Sequence, residues 1–267
     1  MPKADLHVRT TASLGKITPT GAVDAAKKKR IAAIAIVDHE CVDGVIGATE
    51  AGALRGVEVI PGVELTYETD KEEAHIIGYF INPHTPRLRL ELAKNQMIRI
   101  QQVADTLEKL QDLGIKLAYE NVMHEVDGAA SVSRMHIARH MARLRMVKDP
   151  KEALDKYLGR GKPAYVQRDQ MPLATLLDFI REAGGVPALA HPKFGGAEAL
   201  LPELVQEGIK ALEVYHPFHT KEDTERYRQI AKKYGLIEVG GTDSGSGCVG
   251  DATVPYSTVN KLKKLTK

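Results

Sequence analysis

The chain has 267 residues, enough to bury a substantial core in one large domain or two small ones. Its 37 Lys and Arg stand against 35 Asp and Glu, a net charge of +2, which argues against disorder and removes any compositional case for a broad nucleic-acid surface. No apolar run reaches 18 residues, no apolar segment follows Met1-Pro2-Lys3, and Cys41 and Cys248 lack CxxC spacing, so a cytoplasmic protein without membrane span, signal peptide or disulfide scaffold is expected.

In chain order, Ala4 to Val8 reads as a strand and Thr20 to Lys29 as a helix. Ile31 to Val37 is a continuous apolar run, the pattern of a strand covered on both faces, and it stops at Asp38-His39-Glu40. A helix over roughly 43–54 precedes strands at Val57–Glu64 and Ala74–Phe80. Ile100, Val103, Ala104, Leu107, Leu110 and Leu113 then form a stripe at helical spacing. Further helical patterns follow near 118–125, 133–143 and 149–157, so residues 94–160 read as a helical insertion. Strand and helix alternate again after residue 170: helices near 172–183, 197–207 and 221–234, each leading into an apolar run that ends at His191, at His216 and at Thr242-Asp243. Repeated strand–helix units predict a mainly parallel sheet, open or closed into a barrel, formed by residues 1–93 and 161–267.

The polar residues fall in a pattern. His7, His39, Glu64, His191 and Asp243 stand at or near predicted strand ends, whereas His75 lies inside its apparent strand. Strand ends in α/β sheets and barrels present converging loops on a rigid frame. Histidine and carboxylate donors meeting there can hold a divalent ion, and Glu64 has two oxygens with which to bridge a pair of ions. A second set suits anions: Arg134 and His136 follow Ser131-Val132-Ser133 at a helix start, Lys162 follows Gly161, and His219 lies beyond a strand end.

Asp5-Leu6-His7, Asp38-His39, Pro61-Gly62-Val63-Glu64, His75-Ile76-Ile77-Gly78-Tyr79, Ala190-His191-Pro192 and Gly241-Thr242-Asp243 occur in the order of the PHP (polymerase and histidinol phosphatase) superfamily, which this chain resembles along essentially its whole length. Arg134-Met135-His136-Ile137-Ala138 and Gly161-Lys162-Pro163-Ala164-Tyr165-Val166 are similar to the branch of 3′,5′-nucleotide bisphosphatases and 5′→3′ exoribonucleases. The resemblance implies a distorted (β/α)7 barrel with a helical insertion and a site for manganese, zinc or iron. It implies metal ligation by His7, Glu64, His75, His191 and Asp243, with Arg134 and His219 ahead of Lys162 and His136 as holders of substrate phosphate.

The family's opening motif, Asp-Leu-His-x-His-Thr-x-x-Ser-Asp-Gly, here carries Arg9 for its second histidine and Leu14 for its acidic ligand. Its closing Ser-Asp-x-His carries Gly245 in place of the histidine. Leu14, His39 and Gly245 would surround a third ion, so that position is expected to be empty and one or two ions to remain. His39 is then open to proton transfer or to an orienting hydrogen bond. Arg9 either faces a phosphate in place of an ion or pairs with Asp5, Glu64 or Asp243 in a weakened site.

The expected activity is hydrolysis of a small phosphomonoester, with a nucleotide bisphosphate as the leading substrate, by metal-bound hydroxide. Arg9 and His39 are its candidate catalytic residues. Two alternatives stand beside it: a metal- or anion-binding regulatory protein on a decayed scaffold, and a 5′→3′ exoribonuclease acting on short RNA. The sequence leaves the oligomeric state open.

Overall fold

Apolar runs that were read as strands do form strands, because helices and neighbouring strands cover both of their faces. The computed structural model describes residues 1–126, 131–167, 171–243 and 249–266; Gly245 and Cys248, singled out from the sequence, lie outside them. The chain divides into two units, Met1–Leu90 with Gln170–Lys267, and Glu91–Asp169.

The first unit begins β1 (Lys3–Val8), α1 (Pro19–Lys28), β2 (Ala33–Ile36), α2 (Asp43–Arg55), β3 (Glu58–Glu68) and β4 (Glu73–Tyr79). After the start of α3 (Pro86–Asp112) it resumes with α7 (Leu173–Glu182), β5 (Val186–Leu189), a 3-10 turn at Ala197–Leu200 leading into α8 (Leu201–Gln206), β6 (Ala211–Tyr215), α9 (Lys221–Tyr234), β7 (Ile237–Gly240), β8 (Val254–Pro255) and α10 (Tyr256–Lys263). The strands run in the order β7-β6-β5-β4-β3-β2-β1-β8. At one end β8 pairs antiparallel with the start of β1. At the other, the residue after β7 meets β1 directly: a Cβ on Gly241 would lie 2.2 Å from the His7 backbone nitrogen. Glycine therefore permits the approach that nearly closes the sheet into a distorted barrel. Ala4, Leu6, Ala33, Ala35, Val37, Ile60, Ile77 and Tyr79 are buried in its core.

The expectation of a mainly parallel sheet needs one correction. β1–β2–β3 and β5–β6–β7 pair in parallel, but β4 is antiparallel to both β3 and β5. The β3–β4 connection is a tight turn, with Thr69 N–H donating to Glu72 O at 2.8 Å. Such a turn is too short for a crossover, so the two strands must form a hairpin. A reversed strand begins where its parallel neighbours end. His75, near the start of β4 and paired with Thr66, is thereby brought to the same rim as the other strand ends.

The second unit holds most of α3, α4 (Tyr119–His124), α5 (Arg134–Arg143) and α6 (Pro150–Ala153), which runs into a π-helical turn at Leu154–Leu158. Its own core is aliphatic, with Val103, Leu110, Val122, Ile137, Met141 and Leu158 buried together. The stripe read over 100–113 falls on a longer helix that starts at Pro86 and ends at Asp112, one residue before Leu113. Among the described residues no helix is long and apolar enough to cross a membrane.

Candidate active site

Each side chain of the rim is set by its strand. β1 delivers His7 and then turns at Arg9 and Thr10. That turn is pinned by Asp38, whose carboxylate accepts from Thr10 N–H at 2.6 Å, Thr10 Oγ1 at 2.7 Å and Ser13 Oγ at 2.6 Å. Asp5, wholly buried, accepts from His7 N–H, Thr242 N–H, Gly250 N–H and the Thr242 hydroxyl, so it ties the end of β7 to β1. Burial raises its pKa to about 6 against the pull of these donors. His191 and Asp243 adopt positive φ of 23° and 46°, backbone conformations that turn the chain sharply after their strands.

Glu64 is the hub. Its Oε1 lies 2.9 Å from His75 Nδ1, 3.2 Å from His191 Nε2, 3.6 Å from His7 Nε2 and 2.9 Å from Arg9 Nη2. Its Oε2 lies 2.8 Å from the same Arg9 nitrogen. Arg9 Nη2 is also 3.1 Å from Asp243 Oδ1, which stands 3.6 Å from His7 Nε2. His39 pairs across a parallel bridge with Glu64, and its Nε2 lies 3.0 Å from Thr66 Oγ1. The structure thus brings together seven residues singled out from sequence: His7, Arg9, His39, Glu64, His75, His191 and Asp243.

Charge in this cluster is strongly biased. Burial favours the neutral form of Glu64, yet the Arg9 and His75 cations hold its carboxyl well below the usual range. Asp243 is likewise depressed, burial being outweighed by Arg9 and His7. Burial opposes a charge on His75, but Glu64 and Glu73 raise its pKa to about 9. His7 is lifted well above 6.5 by Glu213 and Asp243 in spite of its burial. His191 goes the other way, lowered first by burial.

His39, Glu64 and His75 each offer a ligand atom within 4.8 Å of the others, a group able to hold a metal ion. His191 approaches the same carboxylate, so these donors fit a divalent cation. His7, Glu64 and Asp243 frame a second position, and there the fit fails. His7 Nε2 and Asp243 Oδ1 are buried without a hydrogen bond among the described residues, but the space between the carboxylates holds the Arg9 guanidinium. A divalent ion about 4 Å from that group would meet a repulsion of roughly 8 kcal/mol at an effective dielectric of about 20.

Of the four phosphate-holding candidates, His219 belongs to the first unit. His219 donates from Nδ1 to Val214 O at 2.8 Å, and its Nε2 has no hydrogen bond among the described residues. Burial lowers its pKa. Arg134, His136 and Lys162 belong to the second unit. There Arg134 lies over the Tyr165 ring at 5.7 Å, and His136, 1% exposed, caps α5 by accepting Ser133 N–H at 3.1 Å. Sequence reasoning passed over Glu213. From β6 it takes His7 Nδ1 at 3.0 Å and the His191 backbone N–H at 2.8 Å. The available signal was a glutamate inside the otherwise apolar run Ala211-Leu212-Glu213-Val214.

The PHP domain family matches residues 5–160. A 3′,5′-nucleoside bisphosphate phosphatase of Chromobacterium violaceum is 31% identical over 248 residues, covering 91% of this chain and 87% of that protein. A 5′-3′ exoribonuclease of Haemophilus influenzae is 28% identical over 251 residues, covering 92% of this chain and 91% of the relative. An amidohydrolase from C. violaceum, solved with bound sulfate and no metal, superposes with a TM-score of 0.89 at 28% identity, covering 99% of this chain and 97% of that one. Fold and site thus define a barrel hydrolase, an enzyme of the phosphoesterase class. The chain belongs to the PHP family.

Proposed function

We propose that the chain hydrolyses a phosphomonoester on a small nucleotide bearing more than one phosphate, with a 3′,5′-bisphosphate as the leading substrate. The observation that carries this reading is the buried Glu64 carboxylate, held within 3.2 Å of Arg9, His75 and His191. His39, Glu64, His75 and His191 would hold a divalent ion, manganese, zinc or iron, whereas His7 and Asp243, expected as ligands from the resemblance, face the Arg9 guanidinium. When bound, the ion supplies Lewis acidity toward a phosphoryl oxygen and a more acidic water. Arg9, with 12% of its side chain exposed, presents guanidinium N–H groups to the non-bridging oxygens of the ester. Thr66 orients the His39 ring, which makes His39 the candidate for moving a proton near neutrality. His219 Nε2 is assigned to a substrate phosphate, which would raise the ring's affinity for a proton. For Arg134, Lys162 and His136 the assignment to phosphate is the one drawn from sequence.

Two rim phenylalanines favour a nucleotide over a bare sugar phosphate. Phe194 and Phe218 are 41% and 70% exposed, with ring centroids 6.4 Å apart, and the Phe194 ring lies 5.7 Å from that of His191. Exposed aromatic faces beside a phosphate-handling site suit a base. The relatives named above carry the same two substrate classes, bisphosphate nucleotides and RNA. The cytoplasm is the compartment assigned here from cysteine usage, two cysteines without CxxC spacing.

The test is a manganese-supplemented assay of phosphate release from 3′,5′-bisphosphonucleotides, sugar phosphates and short 5′-phosphorylated RNA, run beside Glu64→Gln. The bisphosphonucleotide should be turned over fastest, and Glu64→Gln should lower its rate at least a thousandfold. Activity unchanged in Glu64→Gln would reject the site.

A further inference from the structure

We propose that Arg9 is a tethered cation that takes the ion position framed by His7, Glu64 and Asp243, so that this chain holds its divalent ion only through His39, Glu64, His75 and His191. The inference rests on the metal site assigned above and narrows it to one ion.

The geometry around Nη2 is that of a cation among its ligands. Three carboxylate oxygens from two residues surround this nitrogen at 2.9, 2.8 and 3.1 Å. His7 Nε2 lies 3.6 Å from both Glu64 Oε1 and Asp243 Oδ1, and makes no hydrogen bond to either. These donors are therefore gathered around a shared point rather than bonded to one another, and Arg9 supplies the positive charge there. The guanidinium keeps that charge at any working pH.

Its backbone is fixed as well. The residue after Arg9 donates twice to Asp38, through Thr10 N–H at 2.6 Å and Thr10 Oγ1 at 2.7 Å. An ion at this position would exchange with solvent and be lost to a chelator; a side chain anchored on both flanks, by the strand before it and the Asp38 clasp after it, is not. The consequence is a centre whose charge is divided: one part is removable metal and the other is built into the chain.

Metal-free protein titrated with Mn2+, followed by electron paramagnetic resonance and elemental analysis, distinguishes the possibilities without an activity assay. The wild type should bind one Mn2+ per chain with the spectrum of an isolated ion. Arg9→His supplies a ligand in place of the cation, so it should bind two, with the spectrum of a spin-coupled pair sharing Glu64. Arg9→Gln removes the charge without supplying imidazole and should gain a second, weaker ion; it serves if Arg9→His does not fold. Arg9→Lys should stay at one.

Two coupled ions in the wild type would overturn the inference, and so would an unchanged count of one in both Arg9→His and Arg9→Gln. No ion in the wild type would instead sink the metal site itself. The Arg9 assignment would then be decided by whether Arg9→His gains an ion over the wild type.

Discussion

His136 stands at the third position of α5, almost without exposure, where its Nδ1 accepts the Ser133 backbone N–H and Ser133 Oγ accepts Met135 N–H. A protonated ring could not accept at Nδ1, so the cap requires the neutral form. Burial, and then the Arg139 charge, lower the folded pKa to about 4 from 6.5. The folded state thus binds a proton less readily than the unfolded chain. The stabilisation is complete above pH 6.5 and is lost as the pH falls from 6.5 to about 4, by about 3 kcal/mol in all. Glutamine at this position can close the same cap without titrating. Urea denaturation of wild type and His136→Gln should therefore show the variant gaining relative stability between pH 7 and pH 4.5. A difference that stays constant over this range would mean that His136 does not titrate in this window. In the first unit the same residue type is driven in the opposite direction at His7 and His75, where carboxylates outweigh burial.

At the scale of an element, α2 shows how closely a helix can be fitted to a site. A Cβ on Gly44 would lie 2.3 Å from Asp38 Oδ2 and 2.6 Å from Thr10 Oγ1, two atoms already hydrogen-bonded to each other. At Gly47, one turn further on, the nearest atom is Pro19 Cβ at 3.9 Å. Gly44→Ala should cost about 1–3 kcal/mol by overpacking. Gly47→Ala should gain about 0.5–1 kcal/mol from helix propensity. Chemical denaturation of the pair checks both, and equal shifts would contradict the close approach at Gly44. Periodicity made most of these elements readable, since apolar runs and 3.6-residue stripes are direct consequences of burial. It carries no information on direction, so the reversal of β4 and the route of His75 to the rim were hidden. β8, two residues long, offers no period to read, and α10 behind it went unassigned. The clustering of polar residues at one rim was readable because His7, His39, His191 and Asp243 each interrupt an apolar run. The pairing of Arg9 with Glu64 and Asp243 stood among the alternatives drawn from sequence, which does not choose between them because it leaves the direction of a long flexible side chain open.

On the scale of the whole barrel, one carboxylate joins segments that the chain order keeps far apart. Glu213, fully buried on β6, reaches His7 from a sequence distance of 206 residues and also holds the backbone of His191, which follows β5. The His7 imidazolium keeps Glu213 below the usual carboxylate range despite burial, so the pair is charged on both sides. Removing one member of a buried ion pair leaves the other uncompensated, which typically costs about 3–5 kcal/mol. Here the backbone N–H of His191 would lose its acceptor as well, in a residue already at positive φ. Glu213→Leu should therefore lower the unfolding free energy by about 3–5 kcal/mol, measured by urea denaturation at pH 7. Glu213→Gln keeps an oxygen for the His191 N–H and should lose only about 1–2 kcal/mol. The order matters more than either value. If the tie were local, leucine, which fits the apolar strand interior, would be the milder change; if it closes the barrel through charge and hydrogen bonds, glutamine must be. A leucine variant as stable as the wild type would show that β1, β5 and β6 are held in register by packing alone.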